Sequence, residues 1–595
     1  MYPLPVAEHV HVIQRALADA RSGRLRPAIG ALERLVQKRG APAEAHHFLG
    51  MLLAQAGRAE PAIFHLERAC LMSPGRAQFE SNFGNVLLGI GREEEAIAHY
   101  RSAIAADGAY APARTGLSGA LLNCGRLAEA EEEARRAVEL APESAEAAAN
   151  LASALITTGR AGAAVELLRA AIARLGPGVQ LNTLLAAAMN YDVSSTPEAI
   201  LDAHRTLGRL HAAAARGFTD GLPPLKRLDR EPGRLRVGYL SADFRDHPVA
   251  MFIEPALASD DSVEVFCYDC TARRDSWSDR LRAGGAVWRD GGGKADAELA
   301  AMVREDGIDV LVELSGHSLG HRQTALAARM APLQVSYLGY PATTGNPSID
   351  ARLVDGRSDP PGSEAFCTER LIRIELCAWC FGAPAHAPEP GPSPAASAGV
   401  VTFGSFNNLA KTTPAVLDAW AALLGRVPRS RLILKNAAFA DARTRERVRL
   451  DMAARGIAPE RLDLLAPTRD PAGHLAAYAH VDIGLDPFPY AGTTTTCEAL
   501  WMGVPVVTLA GRMHAGRVGV SLLGAIGLDE LVAPDVERYV ELAAALAADP
   551  ARLAGFRAGL RERLRRSTLM DAAHFRSRLH SAYVALARER AGGAA

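Results

Sequence analysis

The chain is poor in the features that mark membrane, nucleic-acid-binding and secreted proteins. No apolar run reaches the ~18 residues that cross a bilayer as a helix. Lysine and arginine total 66 against 67 acidic residues, a net charge of −1, so no basic excess points to nucleic acid or an anionic membrane surface. The 8 cysteines in 595 residues exclude a disulfide scaffold and fit reduced thiols. Two Cys-x-x-Cys pairs, Cys267/Cys270 and Cys377/Cys380, are spaced like halves of a zinc site. The first lies in VEVFCYDC, a strand pattern in which residues three apart point to opposite faces, and the second sits in ELCAWCFGAP at a strand exit over a hundred residues away, so neither pair is read as a metal site. The N-terminal stretch MYPLPVAEHVHVIQRALADARSGR lacks the basic start and apolar core of a signal peptide and reads as amphipathic helix. The expected compartment is the cytoplasm.

What is present is a repeat. Gly-Arg recurs at 23/24, 57/58, 91/92, 125/126 and 159/160, a period of 34 residues, the length of a tetratricopeptide helix pair. Five residues past each glycine stands Ala28, Ala62, Ala96, Ala130 or Ala164, and twelve past it Ala69, Ala103, Ala137 or Ala171 in four units of five, small enough for two helices to approach closely. Leu53, Leu87, Leu121 and Leu155 precede the glycines by four residues, and Leu49, Phe83, Leu117 and Leu151 by eight, an apolar stripe running into each turn. Each glycine is expected to end a helix in the left-handed conformation. The spacing predicts an α-solenoid over residues 1–215, a surface suited to protein or peptide partners.

Past a Gly/Pro-bearing connector near 216–233, apolar runs alternate with helical stretches: LRVGYLSAD, VEVFCYDC, IDVLVELSG and LQVSYLGYP, then VVTFGSFNN, SRLILKN, RLDLLAP, HVDIGLDPF and VPVVTLAG. These predict two Rossmann-like α/β domains, 234–383 and 400–590, joined by a Pro/Ala-rich linker at 384–399 whose prolines preclude packed helix or sheet. Two such domains facing one another make a cleft at the carboxyl ends of their strands.

The sharpest local signal is HVDIGLDPFPYAGTTTTCEALWMGVPVVTL. It reads as strand to Asp486, loop to Gly492, a short helix to Met502, Gly503 as its stop, and strand from Val504. Thr493, Thr494, Thr495 and Thr496 crowd hydroxyls and free N–H groups at one helix start, where the dipole favours a phosphate. One threonine suffices as a cap, worth about 1 kcal/mol. Glu498, one turn on, is placed to accept both hydroxyls of a ribose. Lys411, between a strand and the helix opened by Thr412, Thr413 and Pro414, supplies a positive charge for a diphosphate leaving group. No Asp-x-Asp pair occurs anywhere, so the usual hint of a metal-bridged sugar nucleotide is missing.

GSFNNLAK at 404–411, YLGYPATTG at 337–345, SADFRDHP at 241–248 and PYAGTTTTCEALWMGVPVVT at 489–508, behind tetratricopeptide repeats, resemble the O-GlcNAc transferase and SPINDLY family of protein O-glycosyltransferases over essentially the whole chain. The resemblance implies a GT-B pair of Rossmann-like domains and an inverting reaction without metal or other cofactor. It implies that Lys411 contacts the donor diphosphate, that Gly492, Thr493, Thr494 and Thr495 form the phosphate-binding turn, and that Glu498 holds the ribose. His474 would stand by the base, whose edge is read near Arg469, and Asn408 would belong to the same donor site. His247 matches the histidine at the mouth of the first catalytic domain, a candidate general base, and Pro341, Thr343 and Thr344 match the loop beside sugar and acceptor.

Departures bear on donor and acceptor. Animal O-GlcNAc transferases carry His-Thr-Thr where this chain has Thr493, Thr494 and Thr495, and an arginine where it has Ala477. Both positions look more like SPINDLY, whose plant members use GDP-fucose; UDP-GlcNAc is the broader family assignment, and both donors stay open. Family repeats carry an asparagine nine residues before the turn glycine to grip an acceptor peptide; here only Asn82 and Asn150 occupy it, with Phe48 and Gly116 elsewhere. The competing reading is a catalytically inactive tetratricopeptide scaffold that only binds partners.

Overall fold

In the computed structural model the described residues are 6–228, 233–375, 377–468 and 470–592, and they divide into two compact units, residues 1–155 and 156–595. The first unit is built of helix pairs: α1 (Val6–Arg21), α2 (Leu25–Val36), α3 (Ala43–Gln55), α4 (Ala59–Met72), α5 (Ala77–Gly89), α6 (Glu93–Ala106), α7 (Ala111–Asn123), α8 (Leu127–Leu140) and most of α9 (Ala145–Thr157). Gly23, Gly57, Gly91 and Gly125 take φ between +70 and +78°, the left-handed turn that the 34-residue period predicts. A side chain there costs roughly 1–2 kcal/mol. The following arginine N–H closes the turn, as in Arg58 N to Leu53 O at 2.9 Å. The repeated alanines and the leucine stripe are buried.

Gly116 stands where the repeat pattern expects asparagine because Tyr100 fills that space; a Cβ at Gly116 would come within 2.4 Å of the ring. Asn82 and Asn150, expected to reach for an acceptor, hold the array itself together. Asn82 Nδ2 lies 3.0 Å from His47 Nε2, and Asn150 Nδ2 donates to Thr115 O and Ser118 Oγ at 3.0 Å each.

The second unit opens with α10 (Ala161–Leu175), α11 (Val179–Tyr191) and α12 (Pro197–Thr219). The compact division therefore falls about sixty residues before the expected repeat boundary at 215, because α12 is built into the first α/β domain. A Cβ at Gly208 would lie 1.8 Å from Gly345 O, so the helix touches that domain's backbone directly. His204 Nε2 and the Tyr340 hydroxyl meet at 2.8 Å beside this contact.

Two all-parallel sheets complete the unit. The first comprises β1 (Leu235–Ser241), β2 (Val263–Asp269), β3 (Val287–Asp290), β4 (Val310–Glu313), β5 (Leu333–Ser336), β6 (Ala351–Asp355) and β7 (Arg370–Ile374), in order β3-β2-β1-β4-β5-β6-β7. The second comprises β8 (Val401–Ser405), β9 (Ser430–Lys435), β10 (Leu462–Leu465), β11 (Ile483–Leu485), β12 (Val506–Leu509) and β13 (Val532–Ala533), in order β10-β9-β8-β11-β12-β13. Strand order reverses between β1 and β4 and between β8 and β11, and crevices open at such points. The central strands, β1, β2, β4, β5, β8 and β11, are mainly apolar and buried, as sheets covered on both faces require. β3, β6, β7 and β13 escape the sequence reading: β13 has two residues, and β6 hides a buried arginine, Arg352, whose Nη2 donates to Tyr340 O at 2.8 Å.

The linker at 384–399 is not free of helix. Pro394 occupies the first turn of a short helix, Pro394–Ala398, where a missing N–H costs nothing. Ser393 Oγ and Ala395 N both donate to Asp482, tying the segment to the second domain. The terminal helix Ala572–Gly592, expected to complete the second domain, lies against the first: Tyr239 donates to Tyr583 OH at 3.3 Å, and His580 Nδ1 meets Asp260 Oδ2 at 2.6 Å. Cys267, Cys270, Cys377 and Cys380 are free thiols. Among the described residues no helix is long and apolar enough to cross a membrane.

Candidate active site

A cavity of about 360 Å³ lies where the two α/β domains face each other, and its walls are built from segments at the ends of the switch-point strands. His247 and Pro248 come from the segment after β1, Ser318 from that after β4, Asn407, Asn408 and Lys411 from that after β8, and Thr493, Thr494 and Thr495 from that after β11. Seven expected residues thus meet in one cavity: Lys411, His247, Asn408, Pro341, Thr493, Thr494 and Thr495.

Lys411 ends a 3-10 turn, Leu409–Lys411, whose entry is capped by the Asn408 side chain accepting from Ala410 N at 3.1 Å. Its Nζ donates to Ala491 O at 2.7 Å and stands 4.1 Å over the Tyr490 ring. Burial lowers the Lys411 pKa to about 8 against the opposing pull of Asp486. Burial likewise raises Asp486 to about 6, although Thr508 Oγ1 at 2.7 Å and Gly492 N at 2.5 Å donate to it. Gly492 is required by this close approach, since a Cβ would come within 2.7 Å of Thr495 Oγ1 and 2.9 Å of Asp486 Oδ1. Gly492 therefore shapes the turn without lining the cavity.

The helix Thr494–Trp501 begins at this turn, and the Thr493 side chain makes no capping hydrogen bond. Thr495 Oγ1 donates to Asn407 Oδ1 at 2.9 Å. The Thr494 hydroxyl is buried and has no partner among the described residues. The threonines do not serve simply as caps: a helix start with free donors and an unsatisfied hydroxyl, beside a buried ammonium, is an arrangement suited to an anion.

A relay lies behind that helix start. Lys435 Nζ donates to His474 Nδ1 at 2.9 Å, which places the histidine proton on Nε2, 3.1 Å from Glu498 Oε2. The Tyr478 hydroxyl stands 3.4 Å from the same carboxylate oxygen, and its ring packs 4.4 Å from Phe406. His474 and Glu498 are thus joined to each other, without lining the cavity. Lys435, buried at the end of β9, escaped the sequence reading; its cue is a lysine closing the apolar run Leu432–Leu434. Arg469 lies outside the described residues.

The first domain's wall is mainly apolar. Pro248, Val249, Phe252, Leu338 and Trp379 line it. Leu338 has φ +68°, strain that branched residues pay for only where neighbours enforce it. Here Gly339 packs so tightly that a Cβ would lie 1.7 Å from Leu314 O. His247 caps the helix Pro248–Ile253, its Nδ1 accepting from Val249 N at 3.3 Å, and burial lowers its pKa. Thr343 and Thr344 are fully buried away from the cavity, their hydroxyls donating to Glu369. Two residues missed in the sequence also reach the cavity. His514, held by Asp359 Oδ2 at 2.6 Å, arrives after β12, and Tyr191 from α11 stacks on Tyr490 at 5.0 Å.

The model of glycosyl transferase family 41 matches residues 222–375 and 395–579, the two domains that wall this cavity, and a tetratricopeptide repeat matches 111–144. The chain belongs to glycosyl transferase family 41. A lysine-to-methionine mutant of the Thermobaculum terrenum O-GlcNAc transferase superposes with a TM-score of 0.78 at 36% identity, over 87% of this chain and 99% of that one. The probable UDP-N-acetylglucosamine–peptide N-acetylglucosaminyltransferase SPINDLY of Solanum lycopersicum is 41% identical over 69% of this chain and 44% of its own length. The Caenorhabditis elegans UDP-N-acetylglucosamine–peptide N-acetylglucosaminyltransferase is 25% identical over 59% of this chain and 41% of its own. The family 41 chain spans under half the length of these two curated relatives. Its fold, helical repeats and two parallel-sheet domains, is that of the O-GlcNAc transferase and SPINDLY family.

Proposed function

We propose that this family 41 protein is an inverting, metal-independent glycosyltransferase that moves a sugar from a nucleotide sugar to Ser or Thr hydroxyls of proteins. The carrying observation is that Lys411 and the threonine-opened helix start wall the same 360 Å³ cavity. The acceptor hydroxyl attacks the anomeric carbon in line with the departing nucleoside diphosphate. The bond to the diphosphate oxygen breaks as the new glycosidic bond forms, the hydroxyl proton passes to solvent water, and the charge gathered on the leaving group meets the Lys411 ammonium and the helix start. Glu498, backed by His474 and Lys435, stands one turn behind, suited to the donor's ribose.

His247 fits a donor's role better than a base's. Its Nδ1 accepts the Val249 N–H, so the neutral ring carries its proton on Nε2 and offers a hydrogen bond rather than a lone pair. The donor is UDP-GlcNAc by the breadth of the family and GDP-fucose by the Thr493 and Ala477 positions. The helical repeats present acceptor proteins.

Intact-mass measurement of Ser/Thr-bearing candidate proteins incubated with each donor tests this reading. Addition of one sugar type, indifferent to added Mg²⁺ or Mn²⁺, supports it. Binding of nucleotide without transfer to any acceptor favours the inactive scaffold.

A further inference from the structure

The loop after β4, Gly-His-Ser-Leu-Gly-His at 316–321, carries two histidines that the transferase reading leaves unused, and α12 brings a third, His211, against them. We propose that His211, His317 and His321 bind one divalent transition-metal ion, Zn²⁺ by preference, which pins α12 to the first α/β domain. Each ring offers a nitrogen, and the three nitrogens all lie within 4.8 Å of one another. The ring centroids are 5.7, 5.3 and 5.6 Å apart.

The hydrogen bonds identify the free lone pairs. His317 Nε2 lies 2.6 Å from Thr344 O, and a carbonyl only accepts, so the proton is on Nε2 and Nδ1 carries the lone pair. That Nδ1 is buried with no partner among the described residues. His211 Nδ1 is satisfied by Thr324 Oγ1 at 2.8 Å, and its Nε2 is likewise buried without a partner among them. Both residues are at most 3% exposed. Two unsatisfied ring nitrogens in a buried position are costly unless something binds them. Among the described residues the His321 ring has one hydrogen bond, a long one from Gln323 N to its Nδ1 at 3.3 Å, weak enough to yield to a metal. Neighbouring His204 is excluded, since Ile200 O and Tyr340 OH already occupy both of its nitrogens.

The outer contacts match what metal-bound histidines use: a carbonyl behind His317 and a hydroxyl behind His211 fix each ring's orientation. Imidazole ligands suit zinc, copper, nickel and iron, and three of them leave a fourth position for water. With Zn–N bonds of about 2.0–2.1 Å, tetrahedral nitrogens stand about 3.4 Å apart, so the rings draw in by roughly 1 Å on binding. None of the three lines the cavity that holds Lys411, so this ion serves the join between α12 and the domain and takes no part in transfer.

The test uses the full chain, purified without a polyhistidine tag, stripped by chelator, and titrated with Zn²⁺ alone against a chromophoric competitor. One Zn²⁺ per chain and a thermal midpoint raised by about 3 °C or more are expected. His321→Ala, at a half-buried position, should lower Zn²⁺ affinity at least about tenfold, and His211→Gln should abolish the midpoint shift. Tetrahedral Co²⁺ absorption bands in the wild type, lost in His321→Ala, identify the ligands directly. Absence of stoichiometric uptake, or uptake that His321→Ala leaves unchanged, overturns the proposal.

Discussion

The two walls of the cavity are unlike. The second domain contributes a buried ammonium, two asparagines and a run of threonines at a helix start; the first contributes Pro248, Val249, Phe252, Leu338 and Trp379, with His247 and Ser318 as polar points. Similar parallel sheets with the same kind of strand-order reversal thus carry different chemistry, set by the segments leaving each switch-point strand. The polar wall can hold a charged leaving group, and the apolar wall can shape and dry the space in front of it. On the proposed reading, the second domain governs affinity for the nucleotide and the first governs the sugar transferred and its acceptor.

The strongest way to break this contrast is Lys411→Ala. Transfer, read as kcat/KM, should fall about 10²–10³-fold, since one buried donor to a developing anion carries that much. The thermal midpoint should hardly move, because removing a desolvated charge costs little stability. Retained turnover would erase the distinction between the walls.

Next in size is pH. With Lys411 lowered to about 8, kcat/KM should fall as pH rises through that value, by about tenfold per unit beyond it. The stability contribution of the same group runs the other way. Its folded pKa lies below the unfolded value of about 10.4, so the unfolded chain holds more protons between the two, and this lysine favours folding increasingly as pH climbs across that window. Opposite slopes of activity and stability above pH 8 would mark the buried ammonium; parallel slopes would point to general unfolding.

Thr494→Val removes the unsatisfied hydroxyl and should weaken nucleoside diphosphate binding about tenfold, measured by calorimetry. His247→Ala, on the apolar wall, should change that affinity by less than about threefold, because a single neutral hydrogen bond at most is lost. If the histidine substitution costs more nucleotide affinity than the threonine one, the division of labour is wrong.

How much of this the sequence displayed depended on whether a residue's role is local. The turn glycines at 34-residue spacing, the helix start at Thr493 and the placement of Lys411 after β8 are set by neighbours in the chain, and all appear as expected. Thr343 and Thr344 do not, because their partner Glu369 lies about 25 residues further on and draws both hydroxyls inward. His514 and Tyr191 reach the cavity from β12 and α11, elements with no motif to announce them. The buried histidines joining α12 to the β4 loop are separated by about a hundred residues, and their surplus lone pairs are visible only when each hydrogen bond is assigned. Short strands such as β13, and β6 with its buried Arg352, carry too little apolar pattern to be read.

The most direct measurement is calorimetric titration of UDP and of GDP into the wild-type chain and into Lys411→Ala. One nucleotide should bind at least about tenfold more tightly than the other, and that affinity should drop at least about tenfold when the lysine is removed, roughly 1.4 kcal/mol. Binding of neither nucleotide, or equal affinity in the two chains, would contradict a shared diphosphate site between Lys411 and the helix start at Thr493.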